Sequence, residues 1–263
     1  MELDERVISK AIVSRFFERL TDHLENDVVI VGGGPAGLVA GYVLADAGVK
    51  VSLFDRRLSL GGGMWGGGML FNEIVVQSEG ARILDDLGVS LREFEPGYYT
   101  AGSVEAVSTL ISSAVRAGVT VFNGMVAEDV VMREDRVIGL VINWSTVETS
   151  GLLVDPLAVR SDFIIDATGH DSNVTSTVEK KVPGRLLTET GKVEGEKSLW
   201  CERAEKLTVD NTKEVYPGLF VAGMSANAVF GGPRMGPIFG GMLLSGEKAA
   251  KEILLRLNGK RVS

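Results

Sequence analysis

Cysteine, histidine, proline and excess positive charge are all scarce in this chain of 263 residues, and each scarcity narrows what it can be. A single cysteine, Cys201, excludes an internal disulfide and fits a reducing cytoplasm. A net charge of −8 without a basic stripe argues against nucleic acid as a partner. Basic neighbours occur at Arg56-Arg57 and Lys180-Lys181, and the lysine pair reads as solvated surface. The longest uncharged stretches, near 215–246, are glycine-rich and broken by Arg234, so no membrane span is expected. Residues 1–25 carry charge throughout, which predicts no secretory leader. Only 7 prolines stand against 33 glycines, and the glycines cluster at a few places. Clustered glycine marks special backbone sites rather than disorder.

The length suits one large α/β domain over residues 1–263. Ile8, Ile12, Phe16, Leu20 and Leu24 form one stripe of a leading helix, about 4–24, that packs on the core or on another subunit. Val28 to Val31 reads as a strand apolar on both faces, followed by a glycine turn and a helix from about Pro35 to Ala47. Val49 to Phe54 is the next strand. Helices are expected near 79–87 and 103–117, and strands at 119–122, 163–167 and 219–222. The stretches 125–133 and 136–144 alternate around Glu134-Asp135 as a small antiparallel insertion. Residues 184–198 read as a mobile or partner-covered loop, and a last helix runs from about 237 to 257.

Gly32-Gly33-Gly34-Pro35-Ala36-Gly37 fits the dinucleotide fingerprint in its required context, strand before and helix after. Gly32 permits the tight turn, Gly34 lets backbone approach a pyrophosphate, and Gly37 lets helix and strand sit close. Pro35 opens a helix whose free N–H groups and partial positive charge attract phosphate. Asp55 ends the second strand, roughly 20 residues beyond Gly37, where a carboxylate meets a ribose diol. That choice favours NAD or FAD over NADP, although Arg56 and Arg57 leave it partly open.

Ile164-Ile165-Asp166-Ala167-Thr168-Gly169 and Leu219-Phe220-Val221-Ala222-Gly223 resemble the later signatures of the two-dinucleotide-binding (glutathione-reductase-like) flavoprotein superfamily. Where its FAD enzymes carry an aspartate for the flavin ribityl chain, this sequence has Met224, which is a weak acceptor. A more specific resemblance comes from Arg56 to Met69, with Gly61-Gly62-Gly63-Met64-Trp65-Gly66-Gly67-Gly68 at its centre. It continues through Val141-Ile142-Asn143-Trp144, Val154-Asp155-Pro156, Thr168-Gly169-His170-Asp171 and Arg234 to Met242. In order, from about residue 5 to 256, these strings resemble the thiazole synthases of thiamine biosynthesis, of the fungal, plant and archaeal type.

The resemblance implies a Rossmann-like fold and an adenylated thiazole made from NAD, glycine and a sulfur source with Fe(II). It also implies a homo-octamer with sites shared between neighbouring subunits. Carried onto this chain, it makes Asp155 and His170 the iron ligands and catalytic pair, and Arg234 the holder of the glycine carboxylate. Gly63, Ala127, Leu153 and Met224 join Gly32, Gly34, Pro35, Gly37, Asp55 and Arg56 along the dinucleotide. The residues agree on their own terms. His23 sits in the leading helix as a surface residue, whereas His170 follows a buried strand at the ligand-binding end of the sheet. A lone Asp–His pair is also a common structural hydrogen bond, and a guanidinium among small apolar residues requires some anion. Met64, Trp65 and Met69 serve equally as a wall around the reacting sugar or as core side chains.

The sequence departs from the fungal and plant branch at Leu153. There that branch has a sulfur-donating cysteine, and many archaeal members have histidine. Leucine has no sulfur to give, and Cys201 matches no donor position. Sulfide from outside and repeated turnover are therefore expected. The competing readings are an FAD-dependent oxidoreductase of the same superfamily, a sugar-phosphate (ribose-1,5-bisphosphate) isomerase and a non-catalytic dinucleotide sensor.

Overall fold

Val28, Val29 and Ile30 are three consecutive side chains without solvent exposure. A strand apolar on both faces must be covered twice. The computed structural model describes residues 3–262. Its elements in chain order begin with α1 (Glu5–Asp22), β1 (Glu25–Val31), α2 (Pro35–Asp46), β2 (Val51–Asp55), β3 (Glu73–Gln77) and α3 (Ser78–Asp86). There follow β4 (Arg92–Glu95), β5 (Tyr98–Gly102), α4 (Ser103–Ala117), β6 (Thr120–Asn123), β7 (Met125–Arg133), β8 (Arg136–Trp144) and α5 (Ser145–Ser150). The chain closes with β9 (Leu157–Asp166), α6 (Asn173–Lys181), α7 (Cys201–Asp210), β10 (Lys213–Tyr216), β11 (Leu219–Val221), α8 (Met224–Phe230) and α9 (Gly240–Val262).

The main sheet runs β10-β11-β9-β1-β2-β6, and all but the edge strand β10 are parallel. Alternation along β1 divides the core. Val28 and Ile30 face one cluster with Leu38 and Leu44 of α2, Leu110 of α4 and Ile253 of α9. Val29 and Val31 face another with Leu140 and Ile142 of β8 and Val178 of α6. The start of β9 pairs antiparallel with β8, and its end pairs parallel with β1 and β11. This grafts the β7–β8 hairpin onto the sheet as the expected antiparallel insertion. A second antiparallel sheet, β3-β5-β4, was not expected. The α/β dinucleotide-binding architecture stands, and among the described residues no helix is long and apolar enough to cross a membrane.

Three expectations need adjustment. The last helix begins at Gly240 rather than about 237, because Ile238 bridges Val75 and the Phe239 N–H donates to the Val75 carbonyl, holding that backbone extended. The stripe on α1 is only half used by its own chain. Leu20 is buried and Phe16 stacks on Trp144 at 5.9 Å, while Ile8 and Ile12 stay exposed. His23 is not a free surface residue; its Nδ1 lies 2.9 Å from Asn26 Oδ1 and 2.8 Å from Ser52 Oγ.

Two contacts generate predictions. A Cβ on Gly246 of α9 would collide with the backbone of Ala36 in α2, so the two helices touch through bare backbone. In an isolated helix Gly246→Ala would gain about 1 kcal/mol. Here it should cost about 1–3 kcal/mol by overpacking, read as a lower urea midpoint; an unchanged or higher midpoint would contradict the contact. Glu205 of α7, 6% exposed, accepts the Gly241 N–H at the start of α9, while its Oε1 has no partner. Burial pushes its carboxyl up to about 7, against the pull of the Gly241 and Gly240 N–H groups. The folded chain then keeps a proton that the unfolded chain releases above the ordinary 4.5, so stability falls as pH rises between these values. Glu205→Gln removes that titration. Its thermal midpoint relative to wild type should climb from pH 5 to pH 8, and a constant difference would show that Glu205 does not titrate there.

Candidate active site

Parallel strands that end together bring their following turns together. Val31 of β1, Asp166 of β9 and Val221 of β11 lie in register, and Phe54 of β2 is level with Val31. The ladders continue into the turns. Gly32 N–H donates to Phe54, Ala167 N–H to Val31 and Ala222 N–H to Asp166, at 2.8, 2.8 and 3.0 Å. The glycine turn, the Thr168–His170 turn and the start of α8 therefore share one edge.

At that edge Gly32 has φ +102, and a Cβ on Gly37 would collide with the Gly32 carbonyl, as expected for a strand and helix in close contact. Gly34 caps α2 without any side chain, Pro35 occupies the first turn, and no acidic residue stands there. Beside it lies the 3-10 turn of Gly62–Gly66, held by a 2.7 Å bond from Gly61 N–H to the Gly33 carbonyl. A Cβ on Gly62 would meet the Gly34 Cα, whereas Gly34 and Gly63 each face open space. The two glycine loops form a cradle that side chains would fill. Buried Asp55 joins the first of them to β2: its two oxygens accept the Gly33 and Arg57 N–H groups, each at 2.7 Å. An ionised carboxylate has acceptor capacity beyond these two bonds. Arg56 points to Glu148 of α5 at 2.6 Å. Met64 is a core side chain, Trp65 is partly buried against that core, and Met69 is exposed.

The turn after β9 is built on Asp166, which is fully buried. Its oxygens accept from Thr168 N and Oγ1, Thr175 N and Oγ1, and Ser225 Oγ, at 2.7–3.3 Å. Ser225 also bonds both the N–H and the carbonyl of Gly169. The next residue, His170, is half-exposed with Nδ1 2.8 and 3.0 Å from the two oxygens of Glu196. Glu196 Oε2 also lies 3.7 Å from Arg234 Nε, and the Arg234 Nη groups have no partner among the described residues. His170 and Arg234 thus meet around a glutamate. Residues 184–198 are not a loose loop at this point: Lys197 N–H bonds Gly232, and Arg234 N–H bonds Lys197.

The remaining expected residues stand elsewhere. Asp155 lies on an exposed stretch with Leu152, Leu153 and Val154, tied to the hairpin by the Asn143 side chain donating to the Val154 carbonyl at 3.2 Å. Leu153 is wholly exposed. No hydrogen bond or ion pair joins Asp155 to His170 within the chain, and among the described residues no three His, Cys, Asp or Glu side chains are grouped to hold a metal. Ala127 sits in β7 against the second core cluster. Met224 is buried with Ala204 and Met235 at the start of α8, so the position of a flavin-holding aspartate has no polar group. Cys201 opens α7 and is partly buried beside Gly236.

Glu196 is the residue that sequence reasoning missed. It sits in a polar stretch with no periodicity, and its partners are distant in sequence, so no local spacing signals it.

Comparison with known proteins agrees with this architecture. The chain is 63% identical over 257 residues to the thiamine thiazole synthase of Desulfosudis oleivorans, covering 98% of this chain and 100% of that one. It is 55% identical over 257 residues to the enzyme of the same name from Methanothermobacter thermautotrophicus, again covering 98% and 100%. The crystal structure of Thermovibrio ammonificans THI4 superposes with a TM-score of 0.96 at 59% identity, over 98% of this chain and 100% of that chain. The model of the Thi4 family matches residues 9–239, and with relatives this similar over nearly its whole length the chain belongs to the Thi4 family.

Proposed function

We propose that this chain is a thiamine thiazole synthase of the cytoplasm. In this reading it makes adenosine diphosphate 5-(2-hydroxyethyl)-4-methylthiazole-2-carboxylate from NAD, glycine and external sulfide, with Fe(II), over many turnovers. The observation that carries the reading is the shared edge: an open two-glycine cradle beside a half-exposed His170–Glu196–Arg234 cluster.

The chain's own groups divide the work. The α2 N-terminus, with Gly34 and Gly63 leaving room, takes the pyrophosphate of NAD. Asp55 uses its spare acceptor capacity on the adenosine ribose. Loss of nicotinamide frees the far sugar to open to its carbonyl form, with which the glycine amine condenses. Arg234 holds the glycine carboxylate; its free Nη groups suit a bidentate anion. Asp155 and His170 fit a ferrous ion by donor chemistry, one carboxylate and one imidazole with places left for substrate. Iron bound there supplies a Lewis acid and a binding place for sulfide. Because Asp155 stands out on an apolar stretch, the pair is completed between subunits, with His170 meeting Asp155 of the partner subunit in a homo-octamer. Leu153 offers no sulfur, so the protein is not consumed.

Two measurements test this. Anaerobic incubation of the purified chain with NAD, glycine, Fe(II) and sulfide should yield several equivalents of thiazole per chain, with intact protein mass. Cys201→Ser should match wild type. Absence of product would overturn the function, and loss of sulfur from Cys201 would overturn the external source. Separately, Gly34→Ala meets nothing in the protein. Its stability should stay within about 1 kcal/mol of wild type, while NAD affinity measured by calorimetry falls about tenfold or more, equivalent to about 1.4 kcal/mol. Equal affinity would mean that the pyrophosphate lies elsewhere.

A further inference from the structure

Glu196 takes none of the roles assigned above, yet it contacts both His170 and Arg234. Of the three side chains it is the anchored one, 16% exposed against 51% for His170 and 58% for Arg234. Its backbone neighbours are fixed as well. Gly195 N–H bonds the Ala228 carbonyl at 3.0 Å, and Lys197 N–H bonds Gly232 at 2.9 Å. The imidazole therefore adapts to the carboxylate, not the reverse.

An ionised carboxylate only accepts hydrogen bonds. With Nδ1 at 2.8 and 3.0 Å from the two oxygens, the hydrogen must sit on Nδ1, and the lone pair is on Nε2. We propose that Glu196 is a positioning residue that fixes His170 in the Nδ1–H tautomer and so presents Nε2 as the metal-binding nitrogen. The proposal rests on the reading of His170 as a metal ligand. A carboxylate behind an imidazole also raises its basicity as a ligand and locks the ring orientation. The same carboxylate draws the Arg234 Nε side towards itself at 3.7 Å and leaves the Nη fork for the substrate carboxylate. One anchored charge thus orients the metal-binding and the carboxylate-binding groups together.

The tautomer is readable without metal or activity. The chain has two histidines, so magic-angle-spinning 15N NMR of ring-labelled, metal-free protein gives two imidazole signal pairs. The pair missing from His170→Ala belongs to His170. At pH 8.5, above the ordinary imidazole range, His170 should show a protonated Nδ1 and a bare Nε2. Glu196→Ala should shift it towards the Nε2–H form, and Glu196→Gln, whose carbonyl oxygen still accepts, should keep the wild-type pattern. Co(II) titration followed by absorbance should show affinity weakened about 10–100-fold in Glu196→Ala and less in Glu196→Gln, with thermal unfolding confirming that both variants fold. A bare Nδ1 in wild type, or an unchanged tautomer in Glu196→Ala, would overturn the proposal. Unchanged Co(II) affinity in His170→Ala would instead overturn the metal reading, a result distinct from either NMR outcome.

Discussion

The close approach of Gly37 to the carbonyl of Gly32 sets the rest of the molecule. It lets α2 lie on β1 with its N-terminus at the strand end, and α2 in turn places two later elements. Ala36, one residue before Gly37, meets Gly223 at the start of α8 and Gly246 of α9, positions where a Cβ would meet its side chain or its backbone. Small residues at these crossings remove the slack that longer side chains would allow. The glycine turn, the start of α8 and the middle of α9 are therefore held through one short piece of α2. Arg234 lies on the connection between α8 and α9, so its distance from the glycine turn follows from the same contacts.

Buried carboxylates finish what packing begins, and they are treated unequally. Asp166 is surrounded by donors from Thr168, Thr175 and Ser225, and these bonds shape the turn that delivers His170. Asp55 accepts one backbone N–H on each oxygen and ties the first glycine turn and the residues just after β2 to the end of that strand. Glu205 has donors for one oxygen and none for the other, and its carboxyl rises to about 7. A satisfied buried charge can fix geometry, whereas a half-satisfied one is a place where proton uptake is cheap. The edge that carries the glycine turn and His170 is built on the first kind, and the second lies at the start of α9.

Much of this architecture was legible because its signals are local. The hairpin was readable to the residue from alternation around Glu134-Asp135, and α4 ends at Gly118, where φ is +118. In the β3-β5-β4 sheet all four residues of β4 are exposed, so that strand has no alternation to read. The start of α9 was placed too early because Pro237 resembles a first-turn proline. What decides that boundary is a contact with Val75, far away in sequence. Glu196 is the extreme case. Nothing in its neighbourhood distinguishes it from the glutamates at 189, 194 and 202, and only the fold brings it to His170 and Arg234.

The position of Asp155 follows from the same contrast between local and distant forces. Asn143 holds the carbonyl beside it, so the stretch is not simply loose, yet Leu152, Leu153 and Val154 are turned to solvent. Three adjacent apolar side chains kept in water represent lost burial of about 1.5–3 kcal/mol each. Adjacent exposed apolar side chains of this kind mark an interaction surface. A leucine at 153 strengthens that character where a thiol or an imidazole would weaken it. Within the proposed function, the same leucine offers no sulfur and adds to the apolar stretch that bears Asp155.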